Sequence, residues 1–220
     1  MRPFALVLVA LPIWTVTAAA QGPGTYQSGR RALLPRAREI ALARSAAPAA
    51  VSDSATIYVL GDQGYEIAVR GTNGNTCYVD RSRVAAIAPQ CFNGEGAATI
   101  MEIEMHRITL LHQERSVAEA DRDIADGLAS GHFRLPRRPV LCYMMSAAQN
   151  LFDDDGKPVG HWHPHLMWYV PYVTAAELGL GKTGGDGTTT LVQWEGSPLA
   201  NVIIVVRDSL EPAGGSVTGR

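Results

Sequence analysis

The segment His161-Trp162-His163-Pro164-His165-Leu166-Met167-Trp168-Tyr169-Val170 concentrates three of the chain's six histidines. Neutral imidazole is the commonest protein metal ligand, and zinc and copper both accept it. In an extended segment, successive side chains point to opposite faces. His161, His163, His165, Met167 and Tyr169 then share one face, and Trp162, Pro164, Leu166, Trp168 and Val170 the other. The second face reads as the one to bury, the first as the one where chemistry sits. Histidines two apart lie about 6.6 Å from each other, a span two imidazoles can close on one ion, whereas about 13 Å separates residues four apart. The strand thus offers a ligand pair. A third ligand would come from Asp153, Asp155, Glu102, His106 or His112, and Met144, Met145 and Met167 extend the choice from zinc to copper. The competing explanation is a half-buried strand whose imidazoles satisfy main-chain groups. A cupin-type pattern would need a glutamate a few residues after the second histidine, and Leu166 to Val170 contain none.

Other motifs carry less. Gly181-Lys182-Thr183 has the tail of a phosphate loop, but Ala176 stands where its first glycine belongs. Asp153-Asp154-Asp155-Gly156 lacks the alternating ligands and distal glutamate of a calcium loop. Ser146 has no Gly-x-Ser-x-Gly elbow around it and fits a capping role. Glu102 and His106, one helical turn apart, fit an ordinary surface contact. No nucleophile with its base, and no spaced pair of acids, can be assembled. The sequence therefore points to a non-enzymatic binding or envelope-associated protein. Tyr143, Phe152, Trp162, Trp168, Tyr169 and Trp194 could line an apolar pocket for a small molecule or a surface for a protein partner, or else fill the core. The alternative is a metal-binding protein or metal-dependent hydrolase using His161, His163 and His165.

The elements that must position these residues follow from periodicity and punctuation. Residues 32–45 read as a helix with Leu33, Ala37, Ile40 and Ala41 inward. Runs at 55–60, 65–70 and 76–80 read as three antiparallel strands, with Asn73-Gly74 as the hairpin turn between the last two. A helical pair follows: 97–115, then a helix opened by Ser116 and Glu119 as a capping box and ended by Gly131. Strands are expected at 139–145, 163–173, 189–194 and 201–206, with short capped turns opened by Ser146 and by Thr174 with Glu177. The sum is an α+β fold: an antiparallel sheet of six or seven short strands with the helical pair inserted after the third.

The 220 residues suffice for one domain with a real core, and 46% hydrophobic against 18% charged residues describes a globular chain. A net charge of −2 gives no general attraction to nucleic acid. Residues 1–20 read as a signal peptide, with Arg2, an apolar run from Phe4 to Val16, and Ala18-Ala19-Ala20 before Gln21. No later run is long and apolar enough to span a membrane, so the mature chain should carry no integral membrane segment. Residues 21–30 read as a flexible leader, 31–210 as one domain and 211–220 as a flexible tail. Export, to the periplasm or the medium, permits a Cys77–Cys91 disulfide and leaves Cys142 as a buried thiol.

Glu39 to Pro48, Gly71-Thr72-Asn73-Gly74 before Cys77, and Cys142-Tyr143-Met144-Met145-Ser146 before the histidine segment resemble stretches of uncharacterised exported bacterial proteins. The resemblance covers most of the mature chain. It implies an exported bacterial origin and a shared fold, and brings no activity, substrate or catalytic residue.

Overall fold

The computed structural model describes residues 26–152, 158–160, 163–180, 190–197 and 199–206. The expected signal peptide, the 211–220 tail, His161, Trp162, Asp153 to Asp155 and the Gly181-Lys182-Thr183 motif lie outside them.

The fold is α+β, built on one mixed sheet of eight strands. Helix α1 (Arg36–Arg44) and the single turn α2 (Ala49–Ser52) lead into a hairpin of β1 (Thr56–Gly61) and β2 (Gly64–Val69). Strands β3 (Thr76–Asp80) and β4 (Ala88–Phe92) follow, then the turn α3 (Gly94–Ala97) and the helices α4 (Ile100–His112) and α5 (Val117–Ser130). The remaining strands are β5 (Val140–Met144), β6 (Leu151–Phe152), β7 (Pro158–Gly160), β8 (His165–Tyr169), β9 (Thr190–Gln193) and β10 (Asn201–Val205). The sheet order is β2-β1-β3-β4-β5-β8-β10-β9, and β6 with β7 forms a separate pair.

Two details differ from the expected sheet. First, Asn73-Gly74 does not fold β3 back on β2. Strand β3 instead runs parallel to β1, with Thr56 opposite Thr76 and Ile57 opposite Cys77. The linking loop is held across the end of β1: Thr72 N–H donates to the Ser54 carbonyl, and the Asn73 amide donates to Val51 O at 2.7 Å while its oxygen accepts from Asn75 N. Local main-chain bonding thus outcompetes the hairpin geometry that the dipeptide favours. Gly71 is needed here, because a Cβ would lie 2.2 Å from the Ala55 and Thr56 backbone. Second, β4 makes the helical pair follow the fourth strand rather than the third. Pro89 argues against a central strand there. It is tolerated because the ladder to β5 involves only Cys91 and Phe92, away from the missing N–H.

The helical pair itself is as expected. Ser116 Oγ accepts from Glu119 N, Glu119 reaches back to Ser116 N at 2.9 Å, and Gly131 ends α5 at φ 78°. The inward face of α1 is different: Glu39, Leu42 and Ala43 are buried, while Leu33 precedes the helix and stays exposed. Glu39 is drawn in because its carboxylate accepts the Leu60 N–H at 3.1 Å, and burial raises its pKa.

Alternation in β3 divides the interior. Cys77 and Val79 pack with α1 residues Leu42 and Ala43, whereas Tyr78 packs with α4 residues Met101 and Ile108. Both faces of β3 are therefore buried. Cys77 and Cys91, directly opposite in the β3–β4 ladder, form the expected disulfide, and Cys142 is free and buried.

The expected loose leader gives way to structure from Tyr26 onward. Gln27 N–H donates to Ser82 O and Gly29 N–H to Leu111 O, both at 3.0 Å. Arg31, 1% exposed, donates from its guanidinium to the carbonyls of Arg81, Gly29, Gln27 and Ser82. A cation that finds four acceptors in the interior holds its segment down, which polar composition alone does not reveal.

Candidate binding face

Register assigns every side chain of the β5–β8–β10–β9 half of the sheet to one of two faces. Toward α4 point Val140, Cys142 and Met144 of β5, Met167 and Tyr169 of β8, and Ile203 of β10, all in the main core. His165 shares that side and is 2% exposed. The other side carries two rows across the strands. One is Leu141, Trp168, Val202 and Val192, and the other is Tyr143, Leu166, Ile204 and Thr190.

None of these eight positions is charged. Val202 is buried in a small cluster with Val173 and Ala200 against which Val192 and Ile204 pack, Tyr143 packs toward the α1 cluster, and Trp168 is the exposed member of the eight. Helix α1, on the same side of the sheet, packs on β1, β3 and β4. Trp168 in the first row is 47% exposed. A large exposed aromatic inside an apolar field is a common mark of a contact surface, since it adds much area at little conformational cost. Tyr172 and Leu178, just beyond β8, are exposed as well. The chain there is held in place: Tyr172, at φ 67°, donates its N–H to Ser197 O at 2.8 Å. Thr174 and Glu177 form the expected reciprocal box around a turn, and Ala175 N donates to Glu195 at 2.9 Å. Hydrogen bonds from Thr174 hold the Glu177 carboxyl below its usual range.

The two faces of β8 are thus the reverse of the sequence expectation, which buried Trp168 and exposed His165, Met167 and Tyr169. Helix α4 decides it: Met101 and Ile108 belong to the same core as Met167 and Tyr169. Periodicity fixed the two sets but not which one meets the helices. His165 Nδ1 lies 2.7 Å from the His163 carbonyl, and desolvation lowers the ring's pKa. His163 precedes the strand and is exposed. The other ligands considered stand apart: His106 pairs with Asp123 on α5, His112 meets Arg31, Glu102 is exposed, and Met144 and Met167 fill core. Among the described residues no group of three His, Cys, Asp or Glu could hold a metal ion.

A second polar cluster lies beneath the docked segment. Asp80, 7% exposed, accepts Ser82 N–H at 2.9 Å; burial, and then the Glu104 charge, raise its pKa to about 7. Tyr26 donates to Glu104, and the Arg107 guanidinium stacks 4.7 Å over the Tyr26 ring while bonding Asp121. Burial raises the phenols of Tyr65, Tyr78 and Tyr169 and the Cys142 thiol, so all four stay protonated at neutral pH. A protonated, enclosed thiol is a poor nucleophile. Ser146 Oγ is buried against Ser45 Oγ at 2.6 Å and accepts from Ala148 N, a turn-capping role. Sequence reading missed this cluster because an Asp closing a strand looks like ordinary turn chemistry.

No protein-family model matches the chain, and no curated protein or solved structure does so either. No described helix is long and apolar enough to cross a membrane.

Proposed function

We propose that this is an exported, non-enzymatic binding protein whose contact surface is the apolar face around Trp168. The exposure of Trp168 within an uncharged field carries the reading. Its partner is a protein segment with an apolar side. Four strands span about 14 Å between outer strand axes, close to the 10–12 Å diameter of a helix with its side chains. The disulfide fits an oxidising compartment outside the cytoplasm, and the apolar start of the chain fits an export signal.

Photo-crosslinking in the producing cell tests this. With p-benzoylphenylalanine at Trp168, a discrete protein adduct is expected, and none with the same group at exposed Asp126 on α5. Equal adducts at both positions, or none at 168, reject the surface.

A further inference from the structure

The docked segment 26–31 donates one hydrogen bond to an acceptor that a proton can remove. Arg31 N–H donates to His112 Nδ1 at 3.0 Å. That assigns the neutral ring's own proton to Nε2, which is enclosed without a hydrogen-bond partner among the described residues. His112 closes α4 and is fully buried. The charges facing it are Arg30 and Arg31 from the segment, Arg81 just after β3, and Asp62 from the β1–β2 turn. Three cations and one carboxylate surround a ring that accepts rather than donates. Adding a proton at Nδ1 removes the acceptor, sets two N–H groups against each other, and places a fourth positive charge in the cluster. The hydrogen bonds from Gln27 to Ser82, Gly29 to Leu111, Ser28 to the Arg115 carbonyl and Arg31 to its carbonyls involve no group that titrates near neutrality. Asp80, whose charge attracts Arg31 and which titrates at about 7, also changes over this range, and His112→Asn separates its effect from that of the imidazole.

We propose that residues 26–31 form an acid-released strap, with the neutral His112 imidazole as its catch. In the closed state Arg31 is locked in its ring of carbonyls. In mild acid His112 takes a proton, the Arg31 N–H loses its acceptor, and the strap lifts from the end of β3 and from α4. Lifting frees the Arg81 and Ser82 carbonyls and gives water a route to the polar groups around Asp80. Burial and the three arginines set the trigger below the usual histidine range, so the strap is closed at neutral pH.

Amide hydrogen exchange on the folded protein, corrected for the intrinsic pH dependence of exchange, reads this directly. Protection at Gln27, Gly29 and Arg31 should fall at least about tenfold between about pH 7.5 and pH 5, while α5 keeps its protection. His112→Asn, whose side-chain oxygen can replace Nδ1 as acceptor, should hold the strap closed over that range. Arg30→Gln, at an exposed position, removes a repelling charge and frees Asp62, so it should move release to higher pH. Strap protection that does not change with pH, or a release that persists in His112→Asn, overturns the proposal. If His112→Asn does not fold, an unmoved release midpoint in Arg30→Gln overturns it instead.

Discussion

Trp168 and Tyr169 are neighbours in the chain and end on opposite sides of β8, the first 47% and the second 5% exposed. Their substitutions should therefore part company. Trp168→Ser should cost about 1–2 kcal/mol, because about half of the side chain already faces water. Tyr169→Ala should cost about 3–5 kcal/mol by opening a cavity beside Phe92, whose ring centroid is 6.2 Å away. Urea denaturation of both variants decides the matter. A loss at Trp168 as large as that at Tyr169 contradicts its exposure.

The two buried titrating groups push stability in opposite directions. Asp80 keeps its proton up to about pH 7, whereas the unfolded chain releases it near the ordinary 3.8. Its contribution is complete in acid and is lost as pH rises through about 7. His112 resists the proton that the unfolded chain takes near 6.5. Its contribution is complete above that value and is lost as pH falls toward its lowered folded-state pKa. Below about pH 6.5, down to the lowered folded-state pKa of His112, the two oppose each other, and the parent profile should be shallow. Asp80→Asn should remove one limb, leaving stability that climbs with pH, with a gain of about 2 kcal/mol at about pH 8. Chemical unfolding across pH checks this; an Asp80→Asn profile that follows the parent contradicts it.

Arg31→Lys keeps the charge and loses the fork. One ammonium has three donors on a single atom and cannot serve Arg81, Gly29, Gln27 and Ser82 at their separate positions. A loss of about 3 kcal/mol is expected, from one or two charge-assisted bonds left unmade. If calorimetry finds the lysine variant as stable as the parent, the guanidinium nest has no energetic weight.

Breaking the Cys77–Cys91 bridge, which joins residues 14 apart, should cost about 3 kcal/mol. The oxidised protein should present one titratable thiol after denaturation and none before it, because Cys142 is enclosed. Three reactive thiols on unfolding without reductant would remove both the bridge and its support for an oxidising compartment.

Much of the architecture was legible because local chemistry agreed with the final fold. Ser116, Glu119 and Gly131 delimit α5 by their own hydrogen bonding and backbone freedom, and the Cys77–Cys91 pairing follows from flanking a turn. What failed depended on distant partners. Nothing local to Asn73-Gly74 reports that β3 will pair with β1, or that Pro89 sits beyond the ladder to β5. The orientation of β8 failed for the same reason, since an alternating strand names two faces and only α4 selects between them. Of the candidate face, Trp168 was singled out but placed inward. Of the polar cluster, His112 was noted only as a possible ligand, and Asp80 and Arg31 carry no local mark at all.

The strap also dictates an order of assembly. Gly29 and Arg31 are made early, yet Leu111 and His112, which receive their N–H groups, follow about eighty residues later. Closing a loop of that length costs about 4 kcal/mol of chain entropy, so docking must wait until β3 and α4 already stand. A segment made before every strand of the sheet is therefore among the last to settle, and until it does Arg31 stays hydrated and within reach of proteases.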